Sequence, residues 1–293
     1  MLLGIDLGGT KLAAALVDDE GRVLQKLREP VDQKHNRSVV EQLSRVIESF
    51  AGSQPEAVGI CIPGIADSKS KTVWAPNIKG WDHIPLAQLL SARVSIPIVI
   101  ESDRNAAVLG EALYGAAVGK SDVVFLIIGT GIGAGILAGG RILRGSHDIG
   151  GAIGWIPVWT EEEKRHFEDV AAGPAIEREA HELFHLEGCK LPQLLELARG
   201  GHERVQELLA TAGKAIGQVL SVLVSTFNPE MIVLGGGVSH AWDLLAPSAL
   251  ETMHLWSQPI AVRQVEIVVS ALGEDAGILG AAAAARHAIS KPA

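Results

Sequence analysis

With 293 residues, 47% of them hydrophobic, the chain has enough apolar content to bury large cores and is excluded from the disordered classes. A formal net charge of -9, a pI near 5.6 and no long run of Lys or Arg leave no electrostatic footprint for nucleic acid. Two cysteines, Cys61 and Cys189, exclude a disulfide framework and fit a reducing, cytoplasmic compartment.

Two β-rich runs open the chain, Leu2-Leu3-Gly4-Ile5-Asp6-Leu7 and Leu12-Ala13-Ala14-Ala15-Leu16-Val17, on either side of Gly8-Gly9-Thr10-Lys11. This is a hairpin pattern. Adjacent glycines let the backbone turn sharply and approach a ligand with no Cβ in the way. Thr10 and Lys11 add a hydroxyl, a cation and backbone N–H groups, the equipment for gripping phosphate. Asp6, at the strand end, could face that phosphate only across a bound cation. Read alone, the motif fits an ordinary glycine hairpin as well. An Asp at position 6 also interrupts the apolar region that a signal peptide requires.

Further along, Gly21-Arg22-Val23-Leu24 turns into a third strand, and Val39, Val40, Leu43, Val46 and Ile47 recur at helical spacing over 38–50. Residues 57–64 read as a buried strand ending in the turn Pro63-Gly64, and 76–81 as loop. A helix over 85–92 places Pro85 in its first turn. A strand over 97–101 then leads into a helix over 103–114. This alternation predicts an α/β fold. The apolar run 123–138 is shorter than the ~20 residues a membrane span needs and is divided by glycines. It reads as two buried strands about Gly129-Thr130-Gly131, so no membrane segment is expected.

That run repeats the device of the opening, which predicts two similar lobes, 1–117 and 118–293, each lending one phosphate loop. No low-complexity linker separates them, so a shared interface is expected. A long helix over 203–227, a strand over 231–234 running into Gly235-Gly236-Gly237, and an Ala-rich helix over 273–289 complete the chain. The last helix should pack closely on a neighbour and is free to return to the first lobe.

Three motifs fail on context. Gly119-Lys120-Ser121 ends like a Walker A loop, but Tyr114 occupies the required glycine position and a helix precedes it. His181-Glu182-Leu183-Phe184-His185 matches a zinc-protease helix, yet no third ligand stands at a recognised spacing, so a solvated helix face is the better reading. Ser146-His147-Asp148 is contiguous, and adjacent side chains do not converge as a triad.

Taken together, Gly4-Ile5-Asp6-Leu7-Gly8-Gly9-Thr10-Lys11 and Gly129-Thr130-Gly131-Ile132-Gly133 resemble the two phosphate loops of the sugar kinase and actin superfamily. Pro63-Gly64 with Ala75-Pro76-Asn77-Ile78-Lys79-Gly80-Trp81 resembles the ROK (repressor, open reading frame, kinase) family within it. So do Glu101-Ser102-Asp103-Arg104-Asn105, Asn228-Pro229-Glu230 leading to Gly235-Gly236-Gly237, and Gly273-Glu274-Asp275-Ala276-Gly277. The set spans nearly the whole chain in order.

The resemblance implies a two-lobed actin-like ATPase (ribonuclease H-like) α/β fold, with ATP and substrate in the interlobe cleft. It implies Asp103 as general base, a role that suits phosphoryl transfer to a hydroxyl. A helix N-cap is the competing reading of that residue. It further implies that Asp6 positions Mg²⁺-ATP, directly or through water. Gly8, Gly9, Thr10, Lys11, Gly129, Thr130 and Gly131 would hold phosphates, and Gly235, Gly236, Gly237, Ala276 and Gly277 would approach the adenosine. Gly64, Asn77, Ser102, Trp155 and Glu168, with Asp103, would contact the acceptor.

Departures from the family pattern fall on the acceptor side. Ser102 stands where the family usually has Asn, and Gly151-Ala152-Ile153-Gly154-Trp155 replaces Gly-Glu-Ile-Gly-His. The cysteine-rich zinc loop is absent, since 159–166 contains no Cys, so no zinc site is expected. Losing three polar partners puts a plain glucose acceptor in doubt, because hydroxyls would be left unpaired on burial. Trp155 then either forms a stacking wall or fills space vacated by the zinc loop. The expected activity is ATP- and Mg²⁺-dependent phosphorylation of a sugar, amino sugar or related polyol by a homodimer. The alternative is a non-catalytic sugar- or nucleotide-binding sensor. The family's repressors carry a DNA-binding helix-turn-helix ahead of the hairpin, and here the hairpin starts at residue 2, so no nucleic-acid partner is expected.

Overall fold

The computed structural model describes residues 1–34, 37–160, 163–184, 186 and 188–290. It divides into two compact units. The first comprises 1–119, 142–150 and the chain from 271 onward; the second comprises 120–141 and 151–270.

The first unit opens with β1 (Leu2–Leu7), β2 (Lys11–Val17) and β3 (Val23–Pro30), then α1 (Ser38–Ser49) and β4 (Val58–Ile62). A small hairpin, β5 (Ile65–Ala66) with β6 (Val73–Trp74), precedes α2 (Leu86–Ser91), β7 (Ile98–Ser102) and α3 (Asp103–Tyr114). Pro85 is the cap before α2 rather than a residue of its first turn, as the sequence pattern had placed it. The sheet order is β3-β2-β1-β4-β7, antiparallel through the hairpins and parallel from β1 to β4 to β7. Flanked by β1 and β7, β4 is buried at all five residues, which explains why Val58-Gly59-Ile60-Cys61-Ile62 is apolar without alternation. One sheet face is covered by α1, whose Val39, Leu43, Val46 and Ile47 meet Ile5, Leu7, Ile60 and Ile62 in one core.

The second unit contains β8 (Val123–Ile128), β9 (Ile132–Ala138) and β10 (Arg141–Ile142), the last at its edge. A hairpin, β11 (Pro157–Trp159) with β12 (Lys164–His166), leads into α4 (Phe167–Ala171), α5 (Gly173–Phe184), α6 (Leu191–Arg199) and α7 (Glu203–Phe227). Then come β13 (Met231–Gly235), α8 (Trp242–Trp256) and β14 (Glu266–Val269). The sheet order, β10-β9-β8-β13-β14, repeats the first: an antiparallel hairpin followed by two parallel strands. By length and composition α7 could cross a membrane. Its Val205, Leu209, Ile216, Leu220 and Val224 are instead core residues of this unit.

The chain returns to the first unit in α9 (Ala276–Ile289). Alanine and glycine let this helix lie close on the sheet: a Cβ on Gly59 would stand 1.8 Å from the Ala281 carbonyl oxygen, and one on Gly4 2.2 Å from that of Ile278. Gly110 of α3 and Gly280 of α9 similarly let those two helices touch at backbone distance.

Candidate active site

Parallel register aligns Asp6 with Cys61 and Cys61 with Glu101, one row across β1, β4 and β7 near their carboxyl ends. Ligands of open α/β sheets gather at that edge. Cys61 donates its Sγ–H to Asp6 Oδ1 at 3.1 Å. Burial pushes the Asp6 carboxyl up, and burial with the charges of Asp6 and Asp103 drives the Cys61 thiol well up, so it stays a protonated donor. Gly277, at the start of α9, is explained by this carboxylate: a Cβ there would lie 2.3 Å from Asp6 Oδ2. Ala276 and Gly277 therefore stand beside Asp6 in the first unit, whereas Gly235, Gly236 and Gly237 stand in the second.

In the first glycine turn, Gly8 N–H donates to the Lys11 carbonyl at 2.9 Å. Among the described residues, the N–H groups of Gly9 and Thr10 donate to no protein acceptor. Asn77 is pressed against this turn, its Cβ 3.1 Å from where a Gly9 Cβ would be. Gln33 ties the two together by donating from Nε2 to the Gly9 and Asn77 carbonyls. A Cβ on Gly64 would meet the Trp74 carbonyl oxygen at 2.0 Å, so its own requirement is the close packing of the β5–β6 hairpin.

Asp103 is the first residue of α3, and Ser102 takes the N-cap position, which removes the cap reading of Asp103. Asp103 Oδ1 accepts the Arg104 N–H at 2.8 Å. The side chain reaches solvent, yet the protein crowded around it pushes its carboxyl up, and the charge of Asp6 acts in the same direction. Ser102 is buried, and its Oγ has no partner among the described residues.

Sequence reasoning missed the group behind Asp103. Glu101 is 2% exposed, and its Oε1 accepts from Ser102 N–H (2.9 Å), Asn105 Nδ2 (3.0 Å) and Arg144 Nη1 (3.0 Å). Its Oε2 accepts from Arg144 Nη2. Arg144 lies on the segment 142–150, which is further fixed by Asp148. Asp148 Oδ2 accepts the Ser68 N–H and Oγ–H, each at 2.9 Å. A carboxylate ending an apolar strand was the only visible signal; its partner 43 positions away was not legible.

In the second unit Gly129 N–H donates to the Gly131 carbonyl at 3.0 Å, and Gly173 N–H donates to that of Gly129 at 2.9 Å. Among the described residues, the Thr130 and Gly131 N–H groups have no protein acceptor. Glu168 braces this turn: its Oε2 accepts the Ile132 N–H at 2.7 Å and leaves no room for a Cβ on Gly131. Gly154 packs against the same carboxylate, so Trp155 begins beside the turn. Trp155 is 74% exposed, which overturns the space-filling reading. His166, whose ring meets the indole edge-on at 5.1 Å, holds the Trp155 carbonyl through Nδ1 at 3.1 Å. Gly235 is required by the Phe125 ring, and Gly236 by a φ of +83° and the Ile128 backbone.

Asp6, raised by burial, is an oxygen donor whose charged form a hard cation would favour. Among the described residues no three or more His, Cys, Asp or Glu side chains group to hold a metal. The donor set fits Mg²⁺, which keeps waters and takes further ligands from phosphate. Of the rejected motifs, His181 and Glu182 are exposed on α5, and His185 lies outside the described residues.

The ROK family model matches residues 2–288. A curated glucokinase of Thermotoga maritima is 31% identical over 310 aligned positions, covering 98% of both chains. The structure of a ROK hexokinase from Thermus thermophilus superposes with a TM-score of 0.85 at 32% identity, covering 99% of each chain. That of a ROK glucokinase from Streptomyces griseus, solved with glucose and AMPPNP, gives 0.78 at 30% identity over 98% of this chain and 99% of that one. The fold is thus the two-lobed actin-like ATPase fold of ROK sugar kinase structures. By its family model and by relatives above 30% identity along its length, the chain belongs to the ROK family.

Proposed function

We propose that this chain is an ATP-dependent sugar kinase in which Asp103 is the general base. The observation that carries the reading is Asp103 itself: a carboxylate at a helix start, raised by its surroundings, in the unit that also holds Asp6 and a glycine turn whose Gly9 and Thr10 N–H groups meet no acceptor among the described residues. The named relatives, which are glucokinases and a hexokinase, support sugar phosphorylation along the full length.

Asp103 takes the proton of the acceptor hydroxyl as that oxygen forms its bond to the γ-phosphorus of ATP. The bond from phosphorus to the bridging oxygen breaks, ADP leaves, and Asp103 returns its proton to solvent. A base raised toward neutrality keeps more driving force for that proton than an ordinary carboxylate. The N–H groups of Gly9 and Thr10, and of Thr130 and Gly131, which meet no acceptor among the described residues, are donors for phosphate oxygens. Asp6, directly or through water, would hold Mg²⁺, which supplies neutralisation of phosphate charge. Among acceptor residues Asn77 is set by the first turn and Glu168 by the second, while exposed Trp155 offers an apolar face in place of a polar one.

A homodimer acting in the cytoplasm completes the reading. An apolar groove of about 660 Å³ in the second unit is lined by Pro157, Val158, Val222, Trp159 and Trp256. Trp159 and Trp256 are 59% and 68% exposed, more than scattered surface apolar residues require. A second copy presenting the same face would cover them. The activity test is ADP release with Mg²⁺-ATP across hexoses, N-acetylated amino sugars and cyclitols, with Asp103→Asn as blank. Turnover on one acceptor, lost in the variant, is expected. Binding of sugar or nucleotide with no turnover on any acceptor would replace the kinase reading with a sensor.

A further inference from the structure

We infer that Arg144 is a positioning residue for Asp103, acting through the buried carboxylate of Glu101; this rests on the role of Asp103 proposed above. Glu101 is held two-point by the guanidinium, with Nη1 on Oε1 and Nη2 on Oε2. The same Oε1 takes the Ser102 N–H at 2.9 Å and Asn105 Nδ2 at 3.0 Å. Asp103 therefore sits between two residues fastened to one oxygen atom, one before it and one after. Its backbone is set by that junction, at the point where β7 ends and α3 begins.

Arg144 is suited to the task because its own place is fixed. The Gly150 N–H donates to the Arg144 carbonyl at 2.9 Å and closes the segment 142–150 into a loop. That loop is anchored to the rest of the first unit by Asp148 on Ser68, by Arg104 Nη2 on the Asp148 carbonyl (3.2 Å) and by Lys69 Nζ on the Ser146 carbonyl (2.8 Å). Arg104 directs Nη2 to Asp148 and makes no hydrogen bond to Glu101 among the described residues. Without the guanidinium, Glu101 becomes a buried carboxylate with too few donors. Such a group turns toward water, and the junction that brackets Asp103 comes apart. A planar fork matched to a carboxylate is the property at stake, and lysine lacks it.

The test compares Arg144→Gln and Arg144→Lys with the unaltered enzyme, alone and in the Asp103→Asn background. Arg144→Gln is expected to lower kcat by about 10²-fold, the scale of a small misplacement of a reacting group. KM for ATP should change less than about twofold, and Arg144→Lys should recover part of the loss. In the Asp103→Asn background, single-turnover rates should show little further effect of Arg144→Gln, because the two residues act as one unit. An equal loss in both backgrounds, or a kcat within about twofold of the unaltered enzyme, overturns the inference. Amide hydrogen exchange gives a readout that needs no turnover. Peptides covering 101–105 should exchange at least about tenfold faster in both Arg144 variants, and unchanged protection there also overturns it. Failure of the kinase reading shows separately, as an unaltered protein that phosphorylates no acceptor while the exchange result stands.

Discussion

Asp103→Asn removes one carboxylate oxygen's basicity and leaves nearly the same shape. A positioned general base supplies about 10²- to 10⁴-fold, so kcat should fall by that factor, about 3 to 5 kcal/mol in activation free energy. The structure adds a pH signature. Burial raises the Asp103 carboxyl above the ordinary 3.8, the charge of Asp6 raises it further, and the Arg104 N–H and guanidinium oppose the shift without cancelling it. A base works deprotonated, so activity is lost as pH falls through this raised value. The acid limb of log kcat/KM, which reports the free enzyme, should lie above the ordinary Asp value, with unit slope, and Asp103→Asn should flatten it. Stability carries the opposite sign. A pKa raised in the folded state means the native protein holds that proton more tightly than the unfolded chain, so the charged carboxylate destabilises above the raised value. Asp103→Asn should therefore melt at or above the unaltered temperature at neutral pH, and the gain should vanish below the ordinary value. Stopped-flow or coupled ADP release from pH 4 to 9, with calorimetry on the same samples, reads both. Turnover of the variant near the unaltered rate, or the same acid limb in both proteins, would refute the assignment.

Four other outcomes follow from particular contacts. Gly277→Ala places a methyl 2.3 Å from Asp6 Oδ2, so the carboxylate must turn away; kcat/KM for Mg²⁺-ATP should drop about tenfold or more while urea stability is kept, since alanine favours the helix. Gly59→Ala drives a Cβ to 1.8 Å from the Ala281 carbonyl oxygen, backbone against backbone, and should cost about 3 kcal/mol by denaturant midpoint. Trp256→Glu puts a charge into the apolar groove and should convert a dimer to a monomer in sedimentation velocity, with the monomer's sedimentation coefficient unchanged by a tenfold dilution. A zinc-selective chelator should leave the melting temperature in place, because the segment 159–166 carries no Cys where the family has its zinc loop; a drop on chelation would sink this expectation.

Much of the fold was legible because its signals are local. The two glycine turns lie between apolar runs, and both became strand–turn–strand hairpins at Leu2–Val17 and Val123–Ala138 with the strands paired residue by residue. α7 spans Glu203–Phe227, the stretch expected to form a long helix. Read alone, Asp6 also fitted a glycine hairpin and Asp103 a helix N-cap; the resemblance of their motifs to the ROK family made them legible as chemistry. Their relation was not. Cys61 joins Asp6 only because parallel register lays β4 beside β1, and register is a property of the sheet.

Long-range partners were what the tertiary structure alone decided. Nothing in the spacing of Glu101 and Arg144 links them; the link forms because 142–150 folds back into the first unit and brings a guanidinium to a carboxylate that burial would otherwise penalise. Ala-rich α9 announced close packing, but not that Gly4, Gly59 and Gly110 were its seat. Trp155 could as well have been buried as exposed, since a lone tryptophan in a glycine-rich turn has no periodicity to assign it a face, and the edge-on His166 ring with a short hairpin behind it left it 74% in solvent. Local propensity and pattern act within a few residues and set elements and turns; which buried charge meets which donor is settled by chain return, where the cost of an unpaired ion selects the partner.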